Sequence, residues 1–73
     1  LSDDMNRTEQ KILEKLSARH LIHKIELKGL VSEDGFEYAI KSLKSKQYIN
    51  EINAIGSTCF VITQKGAKAL KEL

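Results

Sequence analysis

The stretch VSEDGFEYAIKSLKSKQYI, residues 31–49, decides the fold. Ser32 is followed by Glu33 and Asp34, and then by Phe36, Ala39, Ile40 and Leu43 at three- and four-residue spacing. Apolar side chains so spaced line one face of a helix. A serine oxygen ahead of them can accept from the free amides of the first turn, and acids there suit the positive end of the helix dipole. Ser32 is therefore expected to cap this helix. With Phe36, Ile40 and Leu43 inward, the residues left facing out are Asp34, Glu37, Tyr38, Lys41, Ser42 and Ser45.

After Lys46 the period changes. Residues 48–53 and 58–63 are β-prone runs, and the Ala54-Ile55-Gly56-Ser57 stretch between them reads as a hairpin turn. Phe60 and Ile62 share one face of the second strand, taken as the core side, and Cys59 and Val61 share the other. Ile49 and Ile52 differ in parity, so the first strand is either bulged or covered on both faces. Thr63 is expected to cap a last helix over residues 64–72, with Ala67, Leu70 and Leu73 as its apolar edge.

On the N-terminal side, Asn6 with Glu9 three residues later has the form of a capping box. It opens a helix over residues 7–19 whose inner face is Ile12, Leu13 and Leu16, continued by His20. Leu21 and Ile22 suit a short strand. Residues 24–28 suit a short second helix stopped by Gly29, with Leu30 and Val31 as apolar turn residues plugging the core.

Seventy-three residues with net charge +2 and no proline fit one small compact domain spanning residues 1–73. Residues 1–5 read as a disordered arm or an expression remnant ahead of Met5; equally, the chain reads as a domain cut from something longer. The single cysteine, Cys59, cannot form an internal disulfide and is read as a small strand residue. Two histidines and one cysteine without paired spacing argue against zinc, and no cofactor motif is present. No apolar run is long enough for a membrane span, so a cytoplasmic protein is expected, nucleoid-associated if it binds DNA. No nucleophile, base and carboxylate stand at a recognisable spacing, so an enzyme is not expected. His23 is read as exposed, able to meet a phosphate when protonated.

The order helix, strand, helix, turn, helix, hairpin, helix resembles a winged helix-turn-helix domain. Ser32-Glu33-Asp34 followed by Phe36, Ile40 and Leu43 looks like that family's recognition helix, and Lys46-Gln47-Tyr48-Ile49 is similar to its K-G-L-I exit into the wing. Phe60-Val61-Ile62-Thr63-Gln64-Lys65-Gly66, then Leu70, resembles the YxLTxKG…L ending of MarR- and PadR-like transcription regulators. The resemblance implies an α+β fold: a three-helix core, a two- to three-stranded antiparallel wing and a C-terminal helix. One departure is Gly29, only three residues before Ser32, which leaves helix 2 short or the turn displaced.

The resemblance also implies double-stranded DNA as partner, with helix 3 in the major groove and the wing on backbone or minor groove. The residues it points to are Ser32 at the helix start, Tyr38, Lys41, Ser42 and Ser45 on the helix, and Asn53 and Ser57 on the wing. Glu33, Asp34 and Glu37 count against it, because carboxylates facing phosphates weaken the counterion-release contribution. The wing tip carries no cation, and Ile55 there either packs on its own domain or meets another protein. The alternative is thus a protein-interaction module using the acidic helix 3 face and the apolar tip. The terminal helix could build a homodimer, as in MarR- and PadR-like proteins, or close the core of one chain.

Overall fold

A computed structural model describes residues 5–73. Along them run α1 (Arg7–Arg19), β1 (Leu21–His23), α2 (Lys24–Val31), α3 (Phe36–Ser45), β2 (Ile49–Ala54), β3 (Ser57–Ile62) and α4 (Gln64–Lys71). The N-terminal arm expected over residues 1–5 lies outside the described residues except for Met5, which is buried and joins the core.

α1 starts as its sequence dictates. Asn6 Oδ1 accepts from the Glu9 amide at 2.9 Å, and the Glu9 carboxylate accepts from the Asn6 amide at 2.9 Å. Ile12, Leu13 and Leu16 are fully buried. His20 does not continue that face. It is exposed at φ 69, in the turn that ends the helix, where the chain has left the helical phase.

The helix 2–helix 3 boundary also differs from expectation. α2 runs through Gly29 to Val31, because Leu27 and Val31, one turn apart, both enter the core. Leu30 is left exposed. Ser32 is not the cap of α3. It closes α2 in the left-handed conformation (φ 49), its amide donating to Lys28 O. α3 starts four residues later behind Gly35, at φ 85, with no side-chain cap. A glycine takes that angle without steric cost, and the chain turns there instead. Phe36, Ala39, Ile40 and Leu43 form the buried face as expected.

The sheet is antiparallel in the order β1-β3-β2. β2 and β3 pair in regular register from Ile49↔Ile62 to Ala54↔Ser57, without a bulge. Ile49 is buried against the helices, whereas Ile52, opposite Cys59, lies exposed on the outer side. Neither reading of the Ile49/Ile52 parity therefore holds. Phe60 is fully buried and Ile62 packs on the core.

Thr63 caps α4 as expected, its Oγ1 accepting from the Gly66 amide at 2.9 Å. The same hydroxyl and the Thr63 amide both reach Tyr48 O at 3.0 Å. These bonds draw α4 so close to the start of β2 that a Cβ on Gly66 would stand 2.2 Å from Tyr48 O. In α4, Ala69 and Leu70 pack on the core, while Ala67 and Leu73 are exposed, so the expected apolar edge is split.

Candidate nucleic-acid interface

The exposed side of α3 and the inner side of the wing face each other across an open groove of about 510 Å³. Tyr38, Lys41, Lys24 and Lys44 line it, with Glu37, Glu51 and Thr58. Tyr38 keeps 70% of its surface exposed, so its hydroxyl is offered outward rather than used in the core. Ile40 and Phe60 form the apolar floor.

Two of the three acids that opposed a nucleic-acid reading, Glu33 and Glu37, are answered by lysines from other elements, as is Glu51 on the wing. Glu33, in the turn before α3, pairs with Lys11 of α1, and this hydrogen bond holds its carboxyl below the usual range. Glu37 on α3 lies 3.2 Å from Lys24 and 3.9 Å from Lys28 of α2. Glu51 on β2 pairs with Lys44 of α3. That hydrogen bond first, then the Lys44 charge, Asn53 and Lys24, hold its carboxyl low against a smaller opposing effect of burial. Asp34 stays exposed in the turn. Among the described residues, no carboxylate lies within ion-pair distance of Lys41.

The site residues expected from sequence are thus only partly brought together. Tyr38 and Lys41 share the groove, and Ser45 is exposed at the end of α3. Ser42 is half-buried, close enough to Glu9 of α1 to help hold that carboxyl low. Glu9 is only 3% exposed; burial pushes its carboxyl up, but Ser42, the Asn6 amide and Lys46, 3.3 Å away, together hold it below the usual range. Ser32 lies on the α2–α3 turn, away from the first turn of α3.

On the wing, Asn53 and Ser57 lie on opposite faces. Asn53 Oδ1 accepts from Thr58 Oγ1 at 3.0 Å, while Ser57 Oγ stands 3.1 Å from His23 Nδ1. His23 is exposed, as expected, and its Nδ1 also lies 3.4 Å from Cys59 Sγ. The sequence reading missed Lys24, Lys44 and Glu51. Lys44 follows Lys41 at helical spacing, a signal that could have found it; Lys24 comes into the groove only through the tertiary fold. No group of three or more metal-ligating side chains occurs among the described residues, and no helix there is long and apolar enough to cross a membrane.

Three helices, a helix-turn-helix formed by α2 and α3, and the β2–β3 hairpin beside α3 define a winged helix-turn-helix fold. No protein-family model matches the sequence, and no curated protein is significantly similar to it. Solved structures are similar in fold. BpsR of Bordetella bronchiseptica, whose DNA binding is regulated by 6-hydroxynicotinic acid, superposes with a TM-score of 0.86 at 12% identity, over 97% of this chain and 53% of that one. A variant of Escherichia coli MarR complexed with operator DNA gives 0.82 at 20% identity, over 94% and 53%. A winged-helix DNA-binding protein from STIV gives 0.82 at 23% identity, over 96% and 86%. The chain spans about half the length of the first two proteins and most of the third.

Proposed function

We propose that this chain binds double-stranded DNA as the DNA-contacting part of a transcription regulator, a binding module rather than an enzyme. The observation that carries it is the groove in which Tyr38 and Lys41, which has no carboxylate partner among the described residues, stand outward on α3, flanked by Lys24 and Lys44 and bordered by the wing. α3 enters the major groove, where Tyr38 and Lys41 reach base edges and phosphates, and Ser45 meets the backbone. Asn53 and Ser57 touch the duplex from the two faces of the wing. Ser32 contributes through its own exposed hydroxyl, and Ser42 only after turning outward from its half-buried place. Of the cations beside the groove, Lys24, Lys28 and Lys44 already have carboxylate partners. Affinity is therefore modest and its salt dependence shallow, a slope of roughly −1 to −4 in log K against log salt.

The reading as a protein-interaction module loses most of its acidic face to the Lys11–Glu33 and Lys24–Glu37–Lys28 contacts. It keeps the exposed Ile55 in its favour. Pairing of two copies through α4 rests on the exposed Leu73 and Ala67, and a monomer mass at high micromolar protein would remove it. The deciding experiment is a titration of isotope-labelled protein with a random duplex of about 16 base pairs at low salt, followed by NMR. Shifts centred on Tyr38, Lys41 and the wing, weakened in Lys41→Ala, are expected. No shifts at millimolar duplex would overturn the proposal.

A further inference from the structure

The wing tip holds a residue that folding does not call for. Between the paired Ala54 and Ser57 the loop is only Ile55 and Gly56. Gly56, at φ 69, supplies the left-handed angle of the turn. Ile55 supplies nothing comparable. Tight hairpin turns favour Gly, Asn and Asp, and a β-branched side chain there is out of place. It is also not packed on its own domain, since it is 103% exposed. The first of the two roles open to it from sequence is thereby removed.

The tip is nonetheless firmly held. Just behind it Thr58 Oγ1 donates to Asn53 Oδ1 across the strands at 3.0 Å. On the opposite face, Ser57 is hydrogen-bonded to His23 at the end of β1. Glu51, further down the inner face, is tied to Lys44 of α3. The wing is thus fastened to the end of β1 on one face and to α3 on the other, and it presents one apolar side chain beyond them. Residues 53–58 carry no charge, so no ionic attraction draws the tip to phosphates.

Resting on the DNA-binding reading, we propose that Ile55 is a minor-groove wedge that seats against a flexible pyrimidine–purine step next to the segment occupied by α3, and bends the duplex there. The wing continues the α3 surface, so its tip reaches the groove adjacent to the one α3 fills. The single side chain at the end of a two-residue turn is narrow enough to enter the minor groove, about 6 Å wide. Apolar side chains placed there act between base steps, unstacking them and kinking the duplex by roughly 20–90°. That deformation is least costly at TA and CA/TG steps. A lysine at the tip would hold any sequence through phosphates; an isoleucine discriminates by how readily the step opens.

The test compares two duplexes of equal length and charge, one carrying TA steps every few base pairs and one carrying none. Each is end-labelled with a fluorophore pair, so anisotropy reports binding and energy transfer reports bending. The wild type is expected to bind the TA duplex roughly five- to ten-fold more tightly and to shorten its end-to-end distance. Ile55→Ala should lose both effects and bind the two duplexes alike. Ile55→Lys should recover affinity for both, without the preference, and steepen the salt slope by about one. The side chain is fully exposed, so neither variant should alter the melting temperature. If Ile55→Ala keeps the preference and the bend, the wedge is refuted while DNA binding stands, and Ile55 is left to a protein contact. If the folded wild type binds neither duplex, the DNA-binding reading and the wedge fall together.

Discussion

Replacing Gly66 with alanine separates tertiary packing from helix propensity by the sign of its effect. Gly66 lies in the first turn of α4, and propensity alone favours alanine there by up to about 1 kcal/mol. The structure opposes it. The new Cβ would meet Tyr48 O at 2.2 Å, and the Tyr48 carbonyl carbon and Cα at 3.0 and 3.1 Å. All three are backbone atoms, so no side chain can swing aside. α4 must retreat from β2 by close to 1 Å, while Tyr48 O accepts from the Thr63 amide and the Thr63 hydroxyl is shared between Gln47 O at 2.8 Å and Tyr48 O at 3.0 Å. Overpacking of this kind costs about 1–3 kcal/mol, and weakening the bonds to Tyr48 O adds up to about 1 kcal/mol. The net expectation is a loss of about 2 kcal/mol, from a total of roughly 4–10 kcal/mol for a domain of this size. Urea unfolding should show a lower midpoint at unchanged slope, and the melting temperature should fall by roughly 10 °C. An alanine variant as stable as the wild type, or more stable, would refute the close approach.

Gln47 holds φ 67, where a side chain is strained, so Gln47→Gly should stabilise by about 0.5 kcal/mol; a lower denaturation midpoint would contradict it. Glu9→Gln should destabilise by about 1–2 kcal/mol at neutral pH, because the capping box and the contacts to Lys46 and Ser42 lose their charge. Glu9 titrates below its unfolded value of about 4.3, so its contribution is complete above that pH and is lost as pH falls through the folded value. The stability curves of wild type and variant should therefore converge between about pH 4.5 and the acid limit, and parallel curves would count against this. Glu51→Gln frees Lys44 for phosphate and should raise duplex affinity roughly two- to five-fold with a steeper salt slope; unchanged anisotropy titrations would place Lys44 outside the interface.

Much of this fold could be read locally because its signals are local. The Asn6–Glu9 box spans one helical turn, and both hydrogen bonds form. Thr63, three residues before Gly66, marks the α4 start, and the bond between them is present. The glycine in that motif has a tertiary reason as well, the approach to Tyr48, which local rules only hint at. Gln47 shows the converse. It stands where the similar K-G-L-I pattern has glycine, and its positive φ accounts for a glycine at that place in the pattern. What misled was competition between equally plausible signals. Ser32 followed by two acids has a better capping profile than Gly35, yet burial of Val31 one turn after Leu27 carries α2 to the edge of Ser32. His20 failed for a related reason, since periodicity cannot say where a helix stops. Ile52 stayed ambiguous because parity assigns a face but not what covers it, and its face is open.

The charge pattern of the interface was the least legible part, because every pair that matters joins different elements. Read along the chain, Glu33, Asp34 and Glu37 look like a block that repels phosphate. In three dimensions Glu33 belongs to α1 through Lys11, and Glu37 to α2 through Lys24 and Lys28. Such exposed pairs contribute little to stability. Their effect is on the field: two of the three acids are neutralised, while beside the groove Lys24 and Lys28 share Glu37 and Lys44 is paired with Glu51, which weakens the pull on a polyanion from a distance. Lys41, beside Tyr38 on the open face of α3, keeps its charge uncompensated by any described residue. A surface arranged this way gains little from long-range attraction and must depend on close contacts. Those are available from Tyr38 on the helix and from the uncharged wing tip, so recognition would depend more on the shape and deformability of the duplex than on its charge.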